Sequence, residues 1–304
     1  MISTKLGKGL LRMIRTNKHK LPKVFERFSD NNEYSRGNSD ISVTSLIDSA
    51  QVFQLKKEYD PFIEEDVSDQ IFAILGTAVH AVLEEGASAA DIVEERLYAD
   101  FDGVRLSGAI DLQSPCPDCD DGLIVTDYKT TSAWTLKYSI EGKPEWNKQL
   151  NCYAELVEEA KGEKVCALEV IAICRDWKKK DALLPNYPQT PVVRLSIPLW
   201  DKDRRREYIA SRIAEHASDA VACSPSERWA KPGKFAVNRE GRKSAVRLLD
   251  SQEEAEEFMS NLRGDGYSIS YRNEDNIRCE NNYCQVAEFC DQFKAILWRD
   301  NDAS

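Results

Sequence analysis

A change of hydrophobic period near residue 100 constrains this chain more than any other feature. From residue 69 to 85 the apolar residues Ile71, Ile74, Leu75, Ala78, Val79, Val82 and Leu83 recur at helical spacing, and Gly86 supplies a stop. Residues 104–112 and 122–129 then alternate as strands do, on either side of a turn rich in Pro, Asp and Cys. The pattern predicts a helix followed by a β-hairpin with a long loop, and a further short helix is expected over 89–97. A helix over 145–160, a buried strand over 165–174, a strand over 192–197 and a helix over 203–220 follow. Helices and strands that interleave in this way make an α/β fold.

Around this segment the chain reads as one domain with additions. Residues 1–40 hold nine Lys and Arg against four acids and are expected to be a flexible basic arm with a short helix near 10–14. Residues 41–300 form the domain. An elaboration over 226–272 contains a hairpin (235–237 with 245–249), a helix opened by the capping pattern Ser251-Gln-Glu-Glu254, and a strand over 267–271. The formal charge of −11 argues against nucleic acid only globally, since phosphate binding depends on local patches. Lys178–Lys180 and Arg204–Arg206 supply two such clusters, which are equally well read as solvated faces. No stretch reads as a membrane span and the basic N-terminus lacks the apolar core of a signal peptide, so a cytoplasmic protein is expected.

The chemistry concentrates on the hairpin. In Asp127-Tyr128-Lys129 the carboxylate and the ammonium lie two apart on a strand and share a face. A carboxylate can hold a hard divalent cation, and an adjacent lysine can offset charge developing on a phosphate. Taken alone the triplet is a common surface ion pair, and Asp176-Trp177-Lys178 repeats it. Asp111, in Gly108-Ala-Ile-Asp111, distinguishes the first copy, because it ends the partner strand and brings a second carboxylate beside Asp127. Two carboxylates so placed repel unless a cation lies between them. His80 stands on the preceding helix in Gly76-Thr-Ala-Val-His80, the only histidine of the three in an apolar, glycine-containing helix. Glu84, one turn later, is read as a surface residue. Gln149 and Tyr153 share one face of the next helix, a spacing that simple packing also explains.

The ordered series GTxxH, GxxD, DYKT and QxxxY, from Gly76 to Tyr153, resembles the RecB-type branch of the PD-(D/E)XK nucleases, and later segments are similar to its phage-encoded members. The resemblance implies a restriction-endonuclease-like core, a central mixed β-sheet flanked by helices. It implies that His80, Asp111, Asp127 and the Tyr128 carbonyl bind Mg²⁺ or Mn²⁺, that Lys129 is the catalytic lysine, and that Gln149 and Tyr153 position the DNA strand or the attacking water. DNA is the implied partner, with a helicase or recombinase as a further one, and exonuclease action is the implied activity. A structure-selective endonuclease and an inactive DNA-binding module of the same fold are the alternatives.

Cysteines need separate treatment. Nine in a chain without an export signal are expected to be reduced thiols, with Cys152, Cys166, Cys174 and Cys223 as small buried hydrophobes. Cys279, Cys284 and Cys290 have a spacing similar to the [4Fe–4S] staple of RecB-type relatives such as AddAB and the CRISPR-associated four-cysteine nucleases. Those take a fourth cysteine from near the start of the domain, and residues 42–60 contain none. A complete cluster needs four thiolates, so packed thiols are expected first and an iron–sulfur cluster or zinc second. For Cys116 and Cys119, a zinc confined to the hairpin needs further ligands, and none is obvious in the neighbouring sequence.

Overall fold

The computed structural model describes residues 13–31, 37–119, 121–139, 141–219 and 221–302. Along the chain run β1 (Ile14–Thr16), α1 (Lys23–Asn31), β2 (Ile41–Ser42), α2 (Val43–Ile47), α3 (Ala50–Tyr59), β3 (Glu64–Asp66) and α4 (Ile71–Glu84). Then come β4 (Ile92–Phe101), β5 (Val104–Pro115), β6 (Gly122–Thr131), α5 (Ala133–Tyr138), α6 (Pro144–Lys161), β7 (Lys164–Cys174), β8 (Val192–Ile197) and α7 (Lys202–His216). The remainder holds β9 (Ala230–Lys231), β10 (Lys234–Arg239), β11 (Arg247–Leu249), α8 (Gln252–Ser260), β12 (Tyr267–Arg272), β13 (Asp275–Asn276), α9 (Ile277–Glu280) and α10 (Asp291–Asp302).

Two compact units divide these elements. The first, residues 13–50 and 64–221, is built on a six-stranded mixed sheet of order β2-β5-β6-β7-β8, with β4 on β5. Pairing is antiparallel for β4–β5, β5–β6 and β7–β8, and parallel for β2–β5 and β6–β7. A parallel pair needs a crossover, and α6 is the crossover between β6 and β7. Pro144 opens α6 at a position where its missing N–H is no loss, and Gly162 closes it in the left-handed conformation. Its middle is buried from Gln149 through Val157 because one side lies on the sheet and the other meets α7. Between α6 and α7 the fully buried Glu155 accepts from Arg205 Nε at 2.9 Å and Arg206 Nε at 2.7 Å.

The expected helix over 89–97 is instead the edge strand β4. Asp102 and Gly103, both at positive φ, form a two-residue turn that folds β4 back on β5 over nearly its whole length. Asp-Gly between alternating runs is a strong hairpin signal, and ladder pairing overrides the local helix propensity of Glu94, Glu95 and Arg96. In the stretch expected to be a flexible arm, β1 pairs in parallel with β3 and α1 follows it. Of the short helix expected over 10–14, residues 10–12 lie outside the described residues and Ile14 begins β1. Residues 67–84 are long and apolar enough to cross a membrane by length and composition alone, although Ser68, Asp69, Gln70 and Glu84 interrupt the apolar run. Phe72, Leu75 and Val82 of α4 are exposed in the chain as it stands.

The second unit takes residues 51–63 and 222–302. It contains the antiparallel sheet β11-β10-β12, the short pair β9–β13, and α8 laid on the three strands. The expected hairpin and capped helix are both there: Val237 pairs with Arg247, and Ser251 Oγ accepts the Glu254 N–H at 3.1 Å. Tyr59 of α3 stacks on Phe289 with ring centroids 4.6 Å apart.

Candidate active site

Strands β5 and β6 are ladder partners only from Leu112↔Thr126 to Pro115↔Leu123. One residue beyond, the two strands part. β5 takes β2 as its neighbour at Leu106 and Ser107, while β6 continues along β7. Asp111 and Asp127 sit at this fork. Backbone groups that lose a ladder partner need another, and the Tyr128 N–H donates to Asp111 Oδ2 at 2.7 Å. That bond fixes the orientation of Asp111 on the side facing β6.

Asp127 is almost fully buried and shares a strand face with Lys129, whose Nζ lies 2.7 Å from Asp127 Oδ2. At that distance the ammonium engages Oδ2 directly. Burial pushes the Asp111 carboxyl well above the usual carboxylate range, and the nearby Asp127 charge pushes it further. His80, the Tyr128 N–H and Lys129 act in the opposite direction and do not cancel it. Two carboxylates are thus held together against their repulsion with a single ammonium beside them.

His80 reaches the fork from α4. Its Nε2 lies 3.2 Å from the Tyr128 carbonyl oxygen, and its Nδ1 lies 3.2 Å from Glu94 Oε1 and 3.6 Å from Asp111 Oδ1. At Gly76, one turn before His80, a Cβ would meet only Thr130 Oγ1 of β6, at 3.9 Å. Glu94 is a site residue that the sequence reading missed. Ligand atoms of His80, Glu94 and Asp111 lie within 4.8 Å of one another. Glu94 also has φ +49°, and the ladder passes from Val93↔Leu112 to Glu95↔Ile110 without pairing Glu94 to Asp111. A non-glycine residue in the left-handed region is held there against an energetic penalty, and such residues cluster at functional sites. The available signal was Asp102-Gly103, which makes residues 92–101 a strand and sets Glu94 across from Asp111.

The donor set fits a hard divalent cation: an imidazole from His80 and two carboxylates, the exposed Glu94 and the buried Asp111, with ligand atoms within 4.8 Å of one another. Of the expected residues, His80 lies beside Asp111 and the Tyr128 carbonyl, and Lys129 beside Asp127; the trio of close ligand atoms is His80, Glu94 and Asp111, and Asp127 is not one of them. Gln149 and Tyr153 are buried on α6, where Gln149 Nε2 donates to Tyr153 Oη at 2.8 Å. The Tyr153 ring lies over Gly108, where a Cβ would meet it at 2.6 Å. Arg205 and Arg206 are engaged by the α6 carboxylates, while Lys178–Lys180 are exposed. Asp176, in the second Asp-x-Lys triplet, has a local structural role, accepting the Ser132 hydroxyl and the Ala133 N–H, each at 2.7 Å.

Two cysteine readings need correction. Cys166, taken as a buried hydrophobe, forms a disulfide with Cys119, and Cys116 is beside them. Cys223, also taken as a lone hydrophobe, lines one apolar cavity with Cys279, Cys284 and Cys290 in the second unit. Glutamine side chains hold its backbone: the Cys223 N–H donates to Gln51 Oε1 at 3.0 Å and to Gln292 Oε1 at 2.8 Å. The Phe293 N–H points at Cys290 Sγ, 3.4 Å away. Burial, reinforced by Cys284 and Cys290, pushes the Cys279 thiol up to about 11. A fourth cysteine, which residues 42–60 lack, thus lines the same cavity as the three tail cysteines, although no three of these sulfurs lie within 4.8 Å of one another.

A mixed sheet flanked by helices that forks to hold two carboxylates beside a lysine is the core of a restriction-endonuclease-like nuclease. The chain belongs to the PD-(D/E)XK nuclease superfamily, whose family model matches residues 87–291. His80 precedes the matched segment. Among solved structures the chain is similar to a protein described as SSO0001, at 18% identity and a TM-score of 0.44, covering 67% of this chain and 86% of that one. It is also similar to the alkaline exonuclease LHK-Exo of Laribacter hongkongensis, at 17% identity and a TM-score of 0.27, covering 48% and 64%. Likenesses this distant carry no functional argument. No curated protein shows a significant match.

Proposed function

We propose that the chain is a RecB-type deoxyribonuclease, dependent on Mg²⁺ or Mn²⁺, that degrades DNA from its ends in phage-type recombination, replication or DNA processing. The observation that carries this reading is His80 beside Asp111 and Lys129 beside Asp127 where β5 and β6 part, with the Asp127 charge acting on Asp111. His80, Asp111, Asp127 and the Tyr128 carbonyl would hold the cation, and Glu94 joins them from β4. A bound divalent ion supplies Lewis acidity toward a phosphoryl oxygen and a water of lowered pKa. The chain's own residues do the rest. Asp127 holds the Lys129 ammonium in place, and Lys129 offsets the charge that builds on the phosphoryl oxygens. The Asp111 carboxylate is oriented by the Tyr128 N–H. Gln149 and Tyr153, joined by the bond from Gln149 Nε2 to Tyr153 Oη, would position the DNA strand or the attacking water. Cys279, Cys284 and Cys290 are read first as packed thiols, with Cys223 at the same cavity, and as ligands of an iron–sulfur cluster or zinc second.

End-labelled linear, blocked-end and circular DNA, digested over time with each metal, tests the reading. Wild type is expected to need added Mg²⁺ or Mn²⁺, to release label from free ends and to spare circles. Lys129→Ala should lose on the order of 10²-fold or more in rate while still binding Mn²⁺, and Glu94→Gln should raise the metal concentration needed for half-maximal rate. Circles cut as fast as free ends would replace the exonuclease by an endonuclease. Equal digestion by wild type and Lys129→Ala, or none by either, would remove the catalytic assignment.

A further inference from the structure

Three sulfurs meet at the start of β6, the end of the strand remote from Asp127. Cys116 and Cys119 come from the loop between β5 and β6, and Cys166 from β7, 47 residues after Cys119. All three sulfurs lie within 4.8 Å of one another and all three residues are partly exposed. Three local features bring them there. The β6–β7 register shifts between Leu123↔Val165 and Ile124↔Ala167, which leaves Cys166 as the extra residue of a bulge. A bulge re-aims a side chain that the regular alternation would send elsewhere. Gly122 leaves space that a side chain would fill, since a Cβ there would overlap the sulfurs of both Cys166 and Cys119. The Cys116 N–H donates to the Gly122 carbonyl at 2.7 Å and closes the loop on itself.

A disulfide needs two sulfurs, and Cys119 and Cys166 supply them. It does not account for Cys116, held next to the bonded pair by the closed loop. A Cys-x-x-Cys turn with a third cysteine from a neighbouring strand is a chelating arrangement for one thiophilic ion, in which three thiolates leave the fourth position to solvent. We propose that Cys116, Cys119 and Cys166, once the disulfide is reduced, form a three-thiolate zinc site that pins the start of β6 to β7. The step balances with a dithiol as reductant. The dithiol gives two electrons and two protons to the Cys119–Cys166 bond and leaves as its own disulfide. The three thiols then release three protons as one Zn²⁺ takes their place. The bound ion would fix the near end of the strand whose far end carries Asp127 and Lys129.

Metal content tests this on the full chain. Wild type, Cys116→Ser and Cys166→Ser are reduced without oxygen, given Zn²⁺, freed of unbound metal and assayed by elemental mass spectrometry. The tail cysteines are kept in every variant, so any zinc they take is common to all. Wild type should hold one zinc per chain more than either variant, and Co²⁺ in its place should give an intense thiolate-to-metal absorption that both variants lack. Cys116→Ser leaves the disulfide pair intact, so its circular dichroism shows whether a difference reflects ligand loss and not unfolding. Equal zinc in wild type and a folded Cys116→Ser would overturn the proposal, as would re-formation of the disulfide in reduced wild type with Zn²⁺ present.

Discussion

Asp111 carries the most information of any single residue, because its protonation couples folding to metal. In the folded chain its carboxyl is raised by burial and by Asp127, while in the unfolded chain it has the ordinary value. The folded state therefore retains a proton that the unfolded state has released. Stability from this group is fully present below the unfolded value and is lost as pH rises through the raised folded value. For metal-free protein, the unfolding free energy should fall by on the order of 2 kcal/mol between about pH 5 and about pH 8. Asp111→Asn, which stays neutral, should flatten that slope, and Mn²⁺ should restore wild type more at the higher pH. Denaturant unfolding at a series of pH values checks this, and identical slopes for wild type and Asp111→Asn would refute it. At this scale the sequence was readable where spacing alone determines geometry. Asp127 and Lys129 share a face by strand alternation, and Asp111 lies in the neighbouring strand, one residue beyond its last rung with β6 and not at the strand end that its motif suggested. Glu94 was not readable, because its role depends on a distortion opposite Asp111 that no periodicity records.

Between elements, Gly108 governs how α6 meets the sheet. A Cβ there would come within 2.6 Å of the Tyr153 ring and 2.9 Å of Leu156 Cδ1. Both residues are buried in a helix fixed by Pro144 and Gly162, so neither side chain can swing away. Gly108→Ala should therefore destabilise by about 1–3 kcal/mol, the usual penalty for overpacking. Urea unfolding would read this as a lower midpoint. Tyr153→Leu, which empties the space over Gly108, should recover part of the loss in the double variant, whereas simple additivity would count against the close packing. The element pattern was largely legible: α4, β5, β6, α6, β7 and β8 all appear where hydrophobic period places them. The exception was β4, whose Glu94-Glu95-Arg96 run favours helix locally. Its pairing with β5 overrides that preference, and only the Asp102-Gly103 turn announces it in the sequence.

For the molecule as a whole, the least legible fact was which cysteines act together. Spacing groups Cys279, Cys284 and Cys290, while Cys223 stands 56 residues ahead of Cys279 and is isolated in sequence. The second unit takes up residues 51–63 together with 222–302, and in it all four line one cavity. Sequence separation says nothing about such convergence, because closing a long loop adds only slowly to the entropic penalty. A four-thiolate cluster at that cavity would be a property of the second unit, and its presence should not depend on the nuclease residues. Protein purified without oxygen should then be brown, with iron and acid-labile sulfide in equal amounts. Cys223→Ala should lose both along with the visible absorption. Cys152→Ala, which removes a buried thiol of the first unit, and Lys129→Ala should keep them. Iron retained in Cys223→Ala would restrict the ligands to the tail and return Cys223 to simple packing. Colourless wild type that takes up no iron and sulfide on anaerobic reconstitution would leave the cavity as four packed thiols.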